Sequence, residues 1–100
     1  MEDDEAAAAF LAAVQDITRR APDVLNATGA AILLATHLGL ATDSRSIARR
    51  LGLAHALVLR EIAAACPRFI RVAKRDSRTQ RTWVELTEEG SRLAGASVSS

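Results

Sequence analysis

"SRSIARRLGLAHALVLREIAAAC", Ser44–Cys66, is the stretch whose reading decides the fold. Asp43 precedes it as a good helix N-cap, and a helical projection puts Ile47, Ala48 and Leu51 on one side and Arg45, Arg49 and Arg50 on the other. Gly52 breaks that helix and Leu53 plugs the turn. A further helix runs from about Ala54 to Cys66, with Val58, Ile62 and Ala65 inward and Pro67 as its stop. Two helices of this length joined by a short glycine-containing turn make a helix-turn-helix layout. The second helix carries little chemistry outward. With Val58 inward, steps of about 100 degrees place Ala56, Leu57, Arg60, Ala63 and Ala64 opposite, and of these only Arg60 can form a side-chain hydrogen bond.

Upstream, Glu2 to Arg20 reads as a helix in which Ala6, Phe10, Ala13, Val14 and Ile17 form one apolar stripe. Acids at its start and Arg19 and Arg20 at its end suit the helix dipole, and Pro22 ends it. Asn26 caps a second helix through about Leu38, where Ile32, Leu33 and Leu34 leave little polar face and Gly39 supplies the stop. Downstream of Pro67 the period changes to two. Ile70 and Val72 share one strand face, Thr82, Val84 and Leu86 share another, and "KRDSRTQR" between them is a charged hairpin tip. Thr87, followed by Glu88 and Glu89, opens a short closing helix to about Ala94, and residues 96–100 are expected to fray. The expected architecture is mainly α with a small β-hairpin, an α+β class. It divides into an N-terminal helix (1–22), a helix-turn-helix and hairpin domain (23–95) and a tail (96–100).

The net charge of +1 conceals an uneven distribution. Residues 1–41 carry two basic and six acidic side chains, residues 42–81 ten and three, and residues 82–100 one and three. The positive charge therefore belongs to one block, which coincides with the two short helices and the hairpin. On the hairpin, Arg71, Lys74, Arg75, Arg78 and Arg81 surround a loop with only Asp76 to offset them. Such cations repel one another unless something anionic is near, and a phosphate backbone supplies that. An arginine at a ribbon tip can also enter a narrow minor groove.

The residues from Leu25 to Leu93 resemble the winged helix-turn-helix regulators, the MarR-like group in particular. The likeness rests on "SIARRLGL" (Ser46–Leu53), on Val58 and Ile62 four apart, on the hairpin "KRDSRTQRTWVELTEEG", and on its closing Leu86-Thr87-x-x-Gly90. It implies a transcriptional regulator that binds double-stranded DNA, and the acidic start Met1–Glu5, where a signal peptide would be basic, leads to the expectation of a cytoplasmic protein. Arg45, Arg49 and Arg50 would hold phosphates, His55, Leu57 and Arg60 would approach the major groove, and Lys74, Arg75, Arg78 and Arg81 would flank or enter the minor groove. Members of the group usually carry Ser, Thr or Asn where this chain has Ala54, Ala56 and Leu57. That substitution weakens direct base readout and leaves two alternatives open: a smooth helix in the groove with shape-based selectivity, or a protein-binding surface on the apolar outward face. The resemblance also implies a homodimer built by terminal helices. Lacking a long C-terminal helix, this chain would rely on the stripe Ala6, Phe10, Ala13, Val14 and Ile17, unless that stripe packs on its own domain.

Other function classes find little support. His37, His55 and the single Cys66 have no metal-ligand spacing, and no nucleophile elbow or glycine-rich phosphate loop is present, so neither an enzyme nor a cofactor or metal is expected. A lone cysteine excludes an internal disulfide, and a plain buried thiol is the simplest role for it. No apolar run reaches the roughly 20 residues of a membrane span.

Overall fold

The computed structural model describes residues 2–99 and contains five helices and one antiparallel hairpin: α1 (Glu2–Arg20), α2 (Ala27–His37), α3 (Ser44–Leu51), α4 (His55–Ala65), β1 (Ile70–Arg75), β2 (Thr82–Leu86) and α5 (Glu88–Ser99). The α+β class and the element order follow the sequence expectation. Among the described residues no helix is long and apolar enough to cross a membrane.

α2 is the hub. Ala30, Ile32, Leu33, Leu34 and Ala35 are all buried on it, because α1, α4 and α5 cover it from different sides and β2 closes a fourth. Three of the helix starts have a local cause, a side-chain cap at α2, α3 and α5. The Asn26 Oδ1 accepts the Gly29 N–H at 2.8 Å, the Asp43 Oδ2 accepts the Ser46 N–H at 3.0 Å, and the Thr87 Oγ1 accepts the Gly90 N–H at 3.0 Å. Gly52 ends α3 in the left-handed region (φ 68°), which turns the chain into α4 within three residues. Gly90 meets a different demand. A Cβ there would collide with the Phe69 carbonyl, so α5 can dock on the entry to β1 only through a glycine.

Two expectations need correction. α5 does not stop near Ala94 and residues 96–99 are helical, because Ala94 and Ser97 are buried against α1 and the Ser97 hydroxyl donates to the Leu93 carbonyl at 3.1 Å. Ser100 lies outside the described residues. The apolar stripe of α1, for its part, is largely consumed inside the chain: Ala13, Val14 and Ile17 are buried in the common core by α2 and α5, whereas Phe10 is half-buried and Ala6 exposed. Ala6 and Phe10 instead line an apolar groove of about 680 Å³ with Leu34, Leu38, Leu40 and Val98.

The hairpin is joined to the helices by its second strand. β2 pairs with β1 on one edge, and on the other it meets the segment entering α3, where the Val84 N–H donates to the Thr42 carbonyl at 2.9 Å and Asp43 bridges Trp83. Ile70 lies opposite Leu86 and Val72 opposite Val84, and then the register shifts so that Ala73 and Lys74 together face Trp83. That bulge reverses the facing of everything beyond it in β1.

Candidate functional site

The basic block converges where the N-terminal ends of α3 and α4 meet the hairpin. The centre of the junction is Ser44, a fully buried residue whose Oγ accepts the Thr82 N–H at 2.9 Å and lies 2.7 Å from the His55 Nε2. One proton arrangement satisfies all three groups: the Ser44 hydroxyl donates to Nε2 while accepting from Thr82, which leaves the His55 proton on Nδ1. One serine thus ties α3, α4 and β2 together. Burial holds the His55 pKa below its ordinary value and the Arg45 guanidinium adds to that, so the ring is neutral in this setting.

Asp43 forms a second tie. Burial opposes its ionisation, but hydrogen bonds from the Ser46 backbone and side chain, with Arg81 close by, outweigh it and hold the carboxyl below the usual range. The Arg81 Nε sits 3.3 Å from the Asp43 Oδ2, and its guanidinium also lies 5.9 Å from the centre of the Trp83 ring. A third tie comes from Arg45, whose Nη2 donates to the Thr79 carbonyl at the hairpin turn at 2.6 Å. The protruding ribbon is thereby held against α3 at its base and near its tip.

These contacts sort the candidate cations. Arg78 is exposed at the turn and its guanidinium has no intramolecular partner among the described residues, because the Asp76 Oδ1 accepts the Arg78 backbone N–H instead. Lys74 is exposed with its Nζ 4.8 Å from the Trp83 ring centre, a contact that leaves its hydrogens available. Arg45 and Arg49 lie four apart along exposed α3, and Arg49 makes only a 3.4 Å contact with the Ser46 Oγ. Arg50 diverges from them, its Nε reaching the Leu40 carbonyl of the preceding loop at 3.3 Å. Arg60 is open on α4, at 73% side-chain exposure, with Glu61 3.6 Å away.

Three sequence assignments change. Arg81 is not a free tip cation, being half-buried and paired with Asp43. The bulge places Arg75 opposite Thr82, on the side toward α4, where, still exposed, it lines a groove of about 380 Å³ between α4 and the hairpin with Leu59, Ala63, Cys66 and Gln80. Arg71 is offset across the strands by Glu85, at 2.8 Å. His55 is also more than a surface or cap residue, because its Nε2 is committed to Ser44. Leu57 is half-buried, and Ala56, Ala63 and Ala64 are exposed as the helical projection requires.

Some residues escaped the sequence reading. Trp83, the only tryptophan, forms the platform for Lys74 and Arg81, and its place between Thr82 and Val84 on the solvent-facing parity of β2 was the available signal. Glu61 is buried although charged, with its carboxylate near the start of α2 at Gly29, a placement that suits the positive end of that helix. Cys66 is half-buried, and burial raises its pKa while Arg75 opposes the rise. That is the profile of an unreactive thiol. Compared with known protein families, curated proteins and solved structures, the chain matches none.

Proposed function

We propose that the chain is a winged helix-turn-helix protein of MarR-like type that binds double-stranded DNA and regulates transcription by occupying a promoter. The observation that carries this is the contact set at the junction. Arg45 reaches the Thr79 carbonyl, Ser44 holds both His55 and Thr82, and Arg81 holds Asp43, so the hairpin and α4 are fixed to α3 while Arg49, Lys74, Arg78 and Arg60 stay open on the elements around them. Cations on a preorganised surface lose little freedom when they meet a row of phosphates. In this reading Arg45 and Arg49 lie along the backbone, α4 enters the major groove by its first turn, and Lys74 and Arg78 reach the neighbouring minor groove.

The start of α4 supports the same placement. Ala54 gives it no side-chain cap, and although the Leu57 and Val58 N–H groups donate to the Ala54 carbonyl, the helix start still presents its positive end to a phosphate, with Arg45 and His55 beside it. The outward side chains Ala56, Leu57, Ala63 and Ala64 offer bases no more than apolar contact with a thymine methyl. Selectivity then rests on Arg60 and on DNA shape.

The test is fluorescence anisotropy with a random-sequence duplex at low ionic strength. Binding that weakens on Arg49→Ala, Lys74→Ala and Arg78→Ala, with little difference between duplex sequences, fits the proposal. Absence of binding in all conditions refutes it and leaves the apolar outward face of α4 as a protein-docking surface.

A further inference from the structure

The outward face of α4 holds one polar group in an apolar surround. Ala56, Ala63 and Ala64 are exposed and Leu57 is half-buried, and only Arg60 among them carries hydrogen-bond donors on its side chain. The nearest anion to Arg60 is the Glu61 Oε2, 3.6 Å from Nε and beyond hydrogen-bond reach. The terminal Nη groups are therefore without a partner among the described residues. Ala56 stands four residues before Arg60 and Leu57 three, the two spacings that make neighbours on a helix surface, about 5–6 Å apart. Helical side chains lean toward the N-terminus, so the Arg60 guanidinium is carried over the turn that bears Ala56 and Leu57. A fork of donors thus projects beside a small apolar step, at the end of α4 that the DNA reading sets in the groove.

We infer that this surface reads one feature of the major groove, a 5-methylpyrimidine immediately 5′ of a guanine. The inference rests on the proposed DNA binding and names what α4 recognises there. Guanine offers O6 and N7 as paired acceptors on its major-groove edge, the commonest target of a two-donor arginine contact. The base on its 5′ side lies about 3.4 Å away along the strand, and a pyrimidine there turns its C5 to the same groove. When C5 carries a methyl, as in thymine or 5-methylcytosine, the methyl fills the space between the guanidinium and the side chains of Ala56 and Leu57. When C5 carries only hydrogen, that space falls to water, which finds no polar side chain beside it except Arg60 itself. A hydrogen-bonding side chain at position 56 or 57 would hold that water and cancel the difference. The apolar surround that removes most hydrogen-bonded base readout is thus what makes a single methyl count.

Fluorescence anisotropy of the full chain tests the inference, using short duplexes identical except at one central step: TpG, UpG, CpG, or CpG methylated at C5 of that cytosine. Within each pair, TpG against UpG and methylated against plain CpG, the duplexes differ by one methyl carbon. The wild type should bind the methyl-bearing member about fourfold tighter in both pairs, the value of burying one carbon. Duplexes of mixed sequence contain many such steps, so their affinities average out. Arg60→Ala should weaken binding to the methyl-bearing duplexes about tenfold and abolish the preference. Ala56→Asn, at an exposed position, should abolish the preference as well, whereas Arg78→Ala on the hairpin should weaken every duplex and keep it. Equal binding within both pairs, or a preference that survives both Arg60→Ala and Ala56→Asn, would overturn the inference and leave DNA binding standing. Failure to bind any of the duplexes would overturn the DNA reading and this inference together.

Discussion

Replacing Ser44 by alanine should detach the hairpin from the helices at one atom. Ser44 is fully buried, and its Oγ is the acceptor for the Thr82 N–H and the partner of the His55 Nε2. Without it a buried backbone N–H has no acceptor, which costs about 2 kcal/mol. The lost bond to His55 adds about 0.5 kcal/mol, the low end of the net range, because the half-buried ring can turn to water. Alanine returns about 0.5 kcal/mol of helix propensity at the start of α3. The net loss is about 2 kcal/mol, or a fall in Tm of roughly 8–16 °C for a domain of this size. Thr18→Ala is the control. Its hydroxyl donates only to the Val14 carbonyl one turn back at 2.9 Å, a bond that adds little to helix stability, so its loss should cost below about 0.5 kcal/mol. Urea and thermal unfolding of the three proteins measure the difference. A Ser44→Ala loss no larger than that of Thr18→Ala would refute the role given to this serine in positioning α4 and the hairpin.

The remaining predictions concern single features. Arg78→Ala should leave unfolding unchanged and lower the salt slope of DNA binding by about one, whereas Arg81→Ala, which frees Asp43, should cost below about 1 kcal/mol at its partly exposed pair. Gly90→Ala should destabilise by about 1–3 kcal/mol because its Cβ meets the Phe69 carbonyl. Gly95→Ala, whose Cβ would make ordinary contact with His37, should stabilise by about 0.5–1 kcal/mol, and chemical denaturation distinguishes the two. His55 has a folded pKa below its ordinary 6.5, so the unfolded chain takes up its proton first as the pH drops. Its contribution to stability is therefore intact above 6.5 and is lost as pH falls through and below that value. Thermal melts should show this decline in the wild type and a flatter profile over that window in His55→Gln.

The elements were legible in the sequence because their boundaries are encoded locally. Asn26, Asp43 and Thr87 accept the N–H bonds their spacing implied, and Gly52 and Pro67 end helices by backbone geometry alone. What could not be read was the fate of each charge. Arg75, Arg78 and Arg81 are the same residue type within seven positions, yet one lines the groove beside α4, one stands open at the turn and one is paired. The cause is an extra residue at Ala73 and a long-range contact with Asp43, neither of which has a period or a motif. The true length of α5 was hidden for a similar reason. Its last turn is held by burial of Ser97 against α1, and "GASVSS" by itself has weak helix propensity.

The ionic-strength dependence of duplex DNA binding is the most direct measurement of the proposed role. Contacts from Arg45, Arg49, Lys74 and Arg78 predict a linear fall of log K with log salt, with a slope of about −3 to −4, and loss of about one unit for each of these residues replaced by alanine. A slope near zero, or a slope that survives removal of all four side chains, would contradict the assignment of this surface to DNA.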